Sequence, residues 1–124
     1  MFGIFVENTR TKYASAIVLG LKSIETRKRN VFKSIIGKKV AVIRTSKNHK
    51  PMIIGYVKIA SAIKANKALF DTYFNKHCVP PGSKYDCPEN GFKWLYFLEN
   101  PEMCFPYEIP QDAIRHGYSF IEFN

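Results

Sequence analysis

The sequence predicts a single α+β domain, a small and mostly antiparallel β-barrel with two or three short helices. Several runs are rich in β-branched and aromatic residues, and one of them is apolar on both alternating faces, as in a covered central strand. Two other segments carry apolar residues at helical spacing. With 124 residues, 46% hydrophobic and 15% aromatic, the chain can bury one core and little more. Residues 1–124 are therefore expected to form one domain.

The first elements are a strand over Met1–Val6 and a short helix. Residues at spacings of three and four mark one face of that helix: Tyr13, Ala16, Ile17 and Gly20. Asn8 or Thr9 is the candidate cap at its start. Gly20 lacks a Cβ atom and can adopt the left-handed conformation that commonly ends a helix, so we expect the chain to reverse there.

A strand is predicted directly after this turn, over Ser23–Arg27. Alternation places Ile24 and Thr26 on the core face and Glu25 and Arg27 on the other, while Lys22 reaches in from the turn. One acid between two bases suits a polar cleft, because burying charges without partners is costly. The alternative is an exposed ion pair, which contributes only about 0 to 1 kcal/mol.

The remaining elements follow from the same patterns. Further strands are predicted at Val40–Ile43, Met52–Ile63, Phe92–Leu98 and Tyr118–Phe123. The first two of these are expected to pair antiparallel through the polar loop Thr45–Lys50. Asn66 is the candidate cap of a second helix, whose apolar stripe is Leu69, Phe70, Tyr73 and Phe74.

Positive charge is concentrated in the first half of the chain. The net charge is +9, but residues 1–67 contain 15 Lys and Arg residues against two acids, a balance of +13, and residues 68–124 come to −4. The basic residues cluster at Lys22, Arg27, Lys28, Arg29, Lys38, Lys39, Arg44, Lys47 and Lys50. Such a cluster favours a phosphate-binding face, and a merely solvated surface is the alternative.

The residues Gly20, Lys22, Glu25 and Arg27 form the pattern G-x-K-x-x-E-x-R, which resembles the signature of the ASCH domain family, relatives of PUA RNA-binding domains. Later segments resemble that family in the same order: Gly55–Ile59, Trp94–Tyr96, Asn100-Pro101 and Pro106. The resemblance covers the whole chain. It implies a PUA-like barrel that binds RNA or a nucleotide beside the motif.

The ligand-binding residues predicted on this basis are Gly20, Lys22, Glu25, Arg27, Arg29, Arg44, Trp94 and Tyr96. Lys22 and Arg27 are expected to contact phosphate or a base edge, and Glu25 to orient them or to accept a hydrogen bond from an exocyclic amine. Trp94 and Tyr96 share one strand face, where a base could stack on either ring, although core packing is the alternative. The candidates for a second acid near the motif are Asp71, Glu102 and Glu108.

An enzymatic function is the main alternative to a binding module. The resemblance implies either an amidohydrolase acting on N4-acetylcytidine or a metal-dependent ribonuclease. In the amidohydrolases a threonine nucleophile occupies the position of Glu25, and Thr26 is predicted to face the other way. If the chain is an enzyme, Lys22, Glu25 and Arg27 are the catalytic candidates, with Glu25 as general base on water and Lys22 or Arg27 stabilising the oxyanion.

Several other classes have little support in the sequence. The cysteines, Cys78, Cys87 and Cys104, are odd in number and lack C-x-x-C spacing, which favours reduced thiols over a disulfide or a metal site near His77. No cofactor or metal is predicted. The chain has no apolar run of about 18 residues and no signal-like start, so a cytoplasmic protein without membrane contact is expected. An adaptor for a protein partner is a third hypothesis, and no exposed amphipathic stripe favours it.

Overall fold

A computed structural model of the chain describes all 124 residues and contains seven strands and three short helices. The strands are β1 (Phe2–Glu7), β2 (Ile24–Arg27), β3 (Lys39–Ser46), β4 (His49–Asn66), β5 (Phe92–Glu108), β6 (Ile114–His116) and β7 (Phe120–Glu122). The helices are α1 (Tyr13–Val18), α2 (Lys67–Thr72) and α3 (Phe74–His77), and a 3₁₀ turn spans Lys33–Ile35.

The strands form one mixed sheet in the order β2-β5-β4-β3-β1-β7-β6. All neighbours are antiparallel except β1 and β3, so the sheet is mixed but mostly antiparallel, as predicted. The edge strands β2 and β6 do not pair with each other, so the sheet is open and a barrel is not confirmed. Bulges bend the long β4–β5 pair, and the Arg27 guanidinium of β2 donates a hydrogen bond to the Phe5 carbonyl of β1 at 2.5 Å.

The first helix has the predicted position and ends as expected. Tyr13, Ala14, Ile17 and Val18 are its buried residues, and Gly20 follows with φ +78°, in the left-handed region. The helix begins after Lys12, which makes no side-chain cap. Asn8 performs a similar role from further upstream, since its Oδ1 accepts a hydrogen bond from the Ser15 amide at 3.0 Å. This contact holds the N-terminus of α1 against the end of β1.

The later elements depart from prediction in three places. The expected second helix breaks at Tyr73 into α2 and α3, and of its apolar stripe only Phe70 is fully buried. Strand β5 continues well beyond Leu98 because β4 pairs with it as far as Glu108. The last strand, β7, is shorter than the predicted Tyr118–Phe123, and no strand was predicted at β6. No helix is both long and apolar enough to cross a membrane.

Candidate functional site

The turn at Gly20 places Lys22 inside the protein. The backbone amides of Leu21 and Lys22 both donate to the Ala16 carbonyl, which folds the chain back along α1. Only 1% of Lys22 is exposed. Its Nζ donates a hydrogen bond to the His77 carbonyl and lies 4.5 Å from the centre of the Tyr13 ring. The motif lysine is therefore a buried cation held by a carbonyl dipole and an aromatic face.

Glu25 lies between the two motif cations. Arg27 donates to its Oε2 from Nη2 at 2.8 Å and from Nε at 3.3 Å, while Lys22 Nζ lies 3.6 Å from Oε1. Glu25 is only 5% exposed, although alternation predicted that it points away from the core. Its burial is possible because both partners are supplied by the same segment. The three residues thus form a buried ion cluster rather than an exposed surface pair.

The charges in this cluster change the pKa values of Glu25 and Lys22. Burial by itself raises the pKa of Glu25, but the charges of Arg27 and Lys22 and the Arg27 hydrogen bond outweigh burial and lower that pKa below its ordinary value. Burial lowers the pKa of Lys22, and Glu25 opposes this effect. Glu25 is therefore an anion at neutral pH, and it accepts rather than donates hydrogen bonds.

A cavity of about 360 Å³ opens beside this cluster, and we call it the motif cavity. Its lining comes from β1, α1, β2, β3, β5 and the loop before β5: Phe5, Glu7, Tyr13, Glu25, Thr26, Arg27, Lys28, Thr45, Tyr85 and Lys93. The volume falls within the usual range for small-molecule sites. Thr26 lines this cavity, although alternation predicted that it shares the core face with Ile24.

Lys93 is a functional candidate that the sequence analysis missed. It is 3% exposed, yet its ammonium forms no ion pair or hydrogen bond within the protein. Burial lowers the pKa of Lys93, and the nearby Glu25 carboxylate partly offsets that effect. The available signal was a single charge inside the otherwise apolar run Phe92–Leu98. An ammonium that forms no ion pair and lies at the wall of a cavity is suited to bind an anion.

The Tyr13 hydroxyl is a second polar group in this wall without a partner. It is buried and has no hydrogen bond in the protein, which ordinarily costs about 1 to 3 kcal/mol. Burial and the Glu25 charge raise the pKa of Tyr13 to about 12, so the hydroxyl keeps its proton. The ring of Tyr85 meets that of Tyr13 edge-on, with centroids 6.0 Å apart. The cavity thus has a hydroxyl donor beside a half-buried aromatic ring.

The other predicted site residues lie elsewhere. Arg29 is exposed and outside the lining, and Arg44 lines a second, polar cavity rather than the motif cavity. Trp94 is only partly buried and lies outside the motif cavity. Tyr96 is 0% exposed, with its hydroxyl 2.9 Å from Asn30 Oδ1 and its ring packed on Phe32 at 4.9 Å. Because both faces of the Tyr96 ring are covered, Tyr96 supports the core rather than offering a stacking surface.

None of the three acids considered as partners of the motif lines the cavity. Asp71 pairs with Lys67 at 3.1 Å, Glu102 with Lys39 at 3.0 Å, and Glu108 with Lys50 at 3.1 Å.

The second acid in the lining is Glu7, at the end of β1. Its carboxylate accepts hydrogen bonds from the Thr9 amide at 2.9 Å and from the Thr11 hydroxyl. Burial raises the pKa of Glu7, but these hydrogen bonds outweigh burial and lower it overall. Glu7 therefore organises the loop after β1 as an ionised acceptor.

The cysteines and acids do not form a metal-ligating cluster. Cys78, Cys87 and Cys104 are unpaired thiols. The ring nitrogens of His77 are engaged with the Phe70 carbonyl and the Val79 amide, at 2.8 and 2.9 Å. No group of three or more His, Cys, Asp and Glu residues is arranged to hold a metal ion.

Comparison with known proteins shows what this fold resembles. No protein-family model and no curated protein sequence matches the chain. Three similar solved structures are those of ASCH proteins from Zymomonas mobilis. A serine-to-alanine variant has a TM-score of 0.74 at 14% identity, covering 95% of this chain and 85% of that one.

The ASCH structure from the same organism has a TM-score of 0.67 at 17% identity, with coverage of 86% and 73%. A tyrosine-to-phenylalanine variant gives 0.64 at 16% identity, with coverage of 86% and 76%. Identity this low establishes similarity of fold alone. This chain therefore has the ASCH domain fold, and at the level of the fold the resemblance indicated by its sequence is confirmed.

Proposed function

We propose that this chain binds RNA or a nucleotide in the motif cavity. The observation that carries the proposal is that one cavity lining contains both a buried carboxylate and cations that form no ion pair. Glu25 is held ionised by Lys22 and Arg27, while Lys93 and Lys28 form no ion pair. A nucleotide combines a base edge that donates hydrogen bonds with an anionic phosphate, which matches this pattern.

The position of each charged or aromatic side chain at the motif cavity suggests its role in binding. Glu25 Oε1 lies 3.6 Å from Lys22 Nζ, beyond hydrogen-bond distance, so this oxygen retains the capacity to accept from an exocyclic amine. Lys93 and Lys28 are the cations for phosphate. Lys22 is 1% exposed and acts by holding Glu25 rather than by touching the ligand. Tyr85, half-buried at the rim, offers a ring on which a base can stack.

Binding of the four ribonucleoside 5′-monophosphates and of a short unstructured RNA at low salt tests this proposal. We expect the double variant Lys28→Gln, Lys93→Gln to lose affinity by about tenfold or more, since each hydrogen bond to a charged group contributes about 1.5 to 3 kcal/mol. The matched control is Lys33→Gln, Lys64→Gln, which removes two exposed charges outside the cavity. No measurable binding, or equal losses in both variants, would refute the proposal.

Hydrolysis of an acylated nucleoside is a second candidate, and the position of Thr26 favours it. Thr26 lines the same cavity as Glu25 and is adjacent to Glu25, at whose position the resemblance implies an amidohydrolase threonine nucleophile. The lowered pKa of Glu25 argues against this candidate, because a weakly basic carboxylate is a poor general base at neutral pH. Binding is therefore the better supported function.

Incubation with N4-acetylcytidine and with unstructured RNA, each with and without a divalent cation, separates the two candidates. Turnover of N4-acetylcytidine that is lost in Thr26→Val would establish the hydrolase. Cleavage of RNA only with the cation would instead support the ribonuclease reading. Binding without turnover in any condition would remove the enzymatic functions and leave the binding module.

A further inference from the structure

One further cavity adjoins the motif cavity, and a third cavity adjoins that one. The first, the loop cavity, has a volume of about 510 Å³ and shares Glu7, Tyr13 and Tyr85 with the motif cavity. The second, the hairpin cavity, has a volume of about 380 Å³ and shares Thr9 and Lys47 with the loop cavity. The shared walls make the three cavities successive sections of one groove.

The loop cavity is lined by both of the residues whose buried side-chain hydroxyl has no hydrogen-bond partner in this protein. These are Tyr13 and Ser83. Buried polar groups are nearly always paired, so two exceptions in one cavity indicate that their partner comes from outside the chain. Because hydroxyls donate and accept, they suit a ligand with phosphate, sugar or base-edge groups.

Cations continue along the groove with little opposing charge. Arg10 and Lys84 line the loop cavity, Lys12 and Arg44 line the hairpin cavity, and Lys47 lines both. None of these five side chains forms an ion pair. Glu7 is the only acid in either lining. The acids of the second half of the chain therefore do not neutralise this surface, which attracts a polyanion.

The groove walls are fixed by hydrogen bonds. The Lys47 amide donates to Thr9 Oγ1 at 2.9 Å, and the Asn8 amide donates to the Thr45 carbonyl at 2.8 Å, which ties the β3–β4 turn to the loop after β1.

The opposite wall is the loop that carries Ser83 and Tyr85. Asp86 holds it by accepting from the Gly82 and Cys87 amides, both at 2.8 Å. Both walls are therefore ordered without a ligand, which reduces the entropy lost on binding.

We propose that a single strand of nucleic acid runs along this groove, with one nucleotide in the motif cavity and the following backbone in the loop and hairpin cavities. The inference rests on the proposed function and specifies its ligand as a polynucleotide. A single strand is favoured over a duplex because Tyr13 and Tyr85 line the junction of the first two cavities, where only an unpaired base can present its face or edge.

Affinity as a function of strand length tests the inference. The probes are a ribonucleoside monophosphate and single-stranded RNA and DNA oligomers of about four and about eight nucleotides, within the usual span of single-strand sites. We expect affinity to rise with length for the wild-type protein. In the triple variant Lys12→Gln, Arg44→Gln, Lys47→Gln this gain should be lost while monophosphate binding persists, because none of the three residues lines the motif cavity.

Salt dependence provides a second measure. Each phosphate neutralised on a single strand contributes a slope of about −0.7 in log affinity against log salt, so three lost contacts reduce the slope by about 2. The control triple variant, Lys33→Gln, Lys64→Gln, Lys76→Gln, has the same change in net charge outside the groove and should keep the wild-type slope. Ser83→Ala should weaken oligomer binding about fivefold without changing monophosphate affinity.

The outcomes separate this inference from the function on which it rests. If neither the monophosphate nor the oligomers bind the wild-type protein, the proposed function is refuted. If the monophosphate binds but affinity does not rise with strand length, only the extended groove is refuted. The same holds if the groove triple variant and the control triple variant show equal salt slopes. Tighter binding of a duplex than of either single strand overturns the single-strand assignment. Urea unfolding midpoints of both triples confirm that each variant is folded, and the single variant Lys47→Gln replaces the groove triple if it is not.

Discussion

Replacement of Glu25 by Gln is the sharpest test of the buried ion cluster. Gln has nearly the same shape, so the change removes a charge without creating a cavity. Lys22, whose side chain is 0% exposed, then loses its counter-ion, and Arg27, 22% exposed, loses its charged acceptor. Breaking a buried pair by removing one partner costs about 3 to 5 kcal/mol, because the other charge stays buried without compensation.

The structure favours the lower end of this range. Lys22 keeps the His77 carbonyl and the Tyr13 ring, and Arg27 keeps the Phe5 carbonyl. We therefore expect a loss of about 3 kcal/mol in the free energy of unfolding. At about 4 °C per kcal/mol for a domain of this size, Tm should fall by about 12 °C. With a urea m-value of about 1.5 kcal/mol/M, the midpoint should fall by about 2 M.

Urea unfolding at neutral pH, followed by circular dichroism, measures this loss. The matched control is Glu102→Gln, which breaks the exposed Lys39–Glu102 pair and should change stability by no more than about 1 kcal/mol. The double variant Lys22→Met, Glu25→Gln should recover much of the loss, since a buried pair replaced by neutral side chains is often well tolerated.

The pH dependence provides an independent check with a definite sign. The pKa of Glu25 is lowered in the folded protein, so the stability it contributes is present above its unfolded pKa and is lost as pH falls through the folded value. The difference between the wild type and Glu25→Gln should therefore be largest near neutral pH and shrink below about pH 4. A loss no greater than that of Glu102→Gln, or one independent of pH, would refute the buried ion cluster.

Three further substitutions test the structure at other places. Lys93→Met should raise the free energy of unfolding by about 1 kcal/mol, because it removes a cation whose pKa is lowered by burial and which forms no ion pair. Gly55→Ala should cost about 3 kcal/mol, since the added Cβ would lie 2.1 Å from the Glu102 carbonyl oxygen, a backbone atom that cannot turn aside. Asn66→Ala should cost about 1 kcal/mol by removing the acceptor of the Leu69 amide, 3.0 Å away. Urea midpoints measure all three.

The expectations at Gly55 and Asn66 each have a matched control. Gly37 has open space around it but φ +90°, so Gly37→Ala should cost only about 1 kcal/mol from backbone strain. A larger loss there than at Gly55 would contradict the steric argument. Asn90→Ala, at an exposed site, should lie within about 0.5 kcal/mol of the wild type. Destabilisation by Lys93→Met would mean that the ammonium has a stabilising partner after all.

Local patterns in the sequence were sufficient for much of the fold. They placed β1 and α1, the left-handed turn at Gly20, and the cap at Asn66, because each depends on residues a few positions apart. They also indicated that charge concentrates in the first half of the chain. The same patterns missed β6 and the full length of β5, since those strands depend on pairing with distant partners.

The candidate site was likewise predicted only in part from the sequence. The motif alone identified Lys22, Glu25 and Arg27 as one group, and the structure brings them together as a buried cluster. It did not identify Glu7 or Lys93: the single charge in the apolar run Phe92–Leu98 hints at Lys93, but neither residue has a local sign that it lines a cavity. For Tyr96 the sequence left base stacking and core packing open, since an aromatic residue on a strand gives no local sign of which face is covered, and its 0% exposure favours core packing.

By itself, the sequence determined the α+β composition, the motif and its charges, because backbone preference and side-chain chemistry are local properties. Only the tertiary structure decided that the sheet is open, that Glu25 is buried, and that Lys93 and Tyr13 lack partners beside it. Burial and pairing depend on which distant segments the fold brings together. The groove that follows from them is therefore a property of the folded chain and not of any one segment.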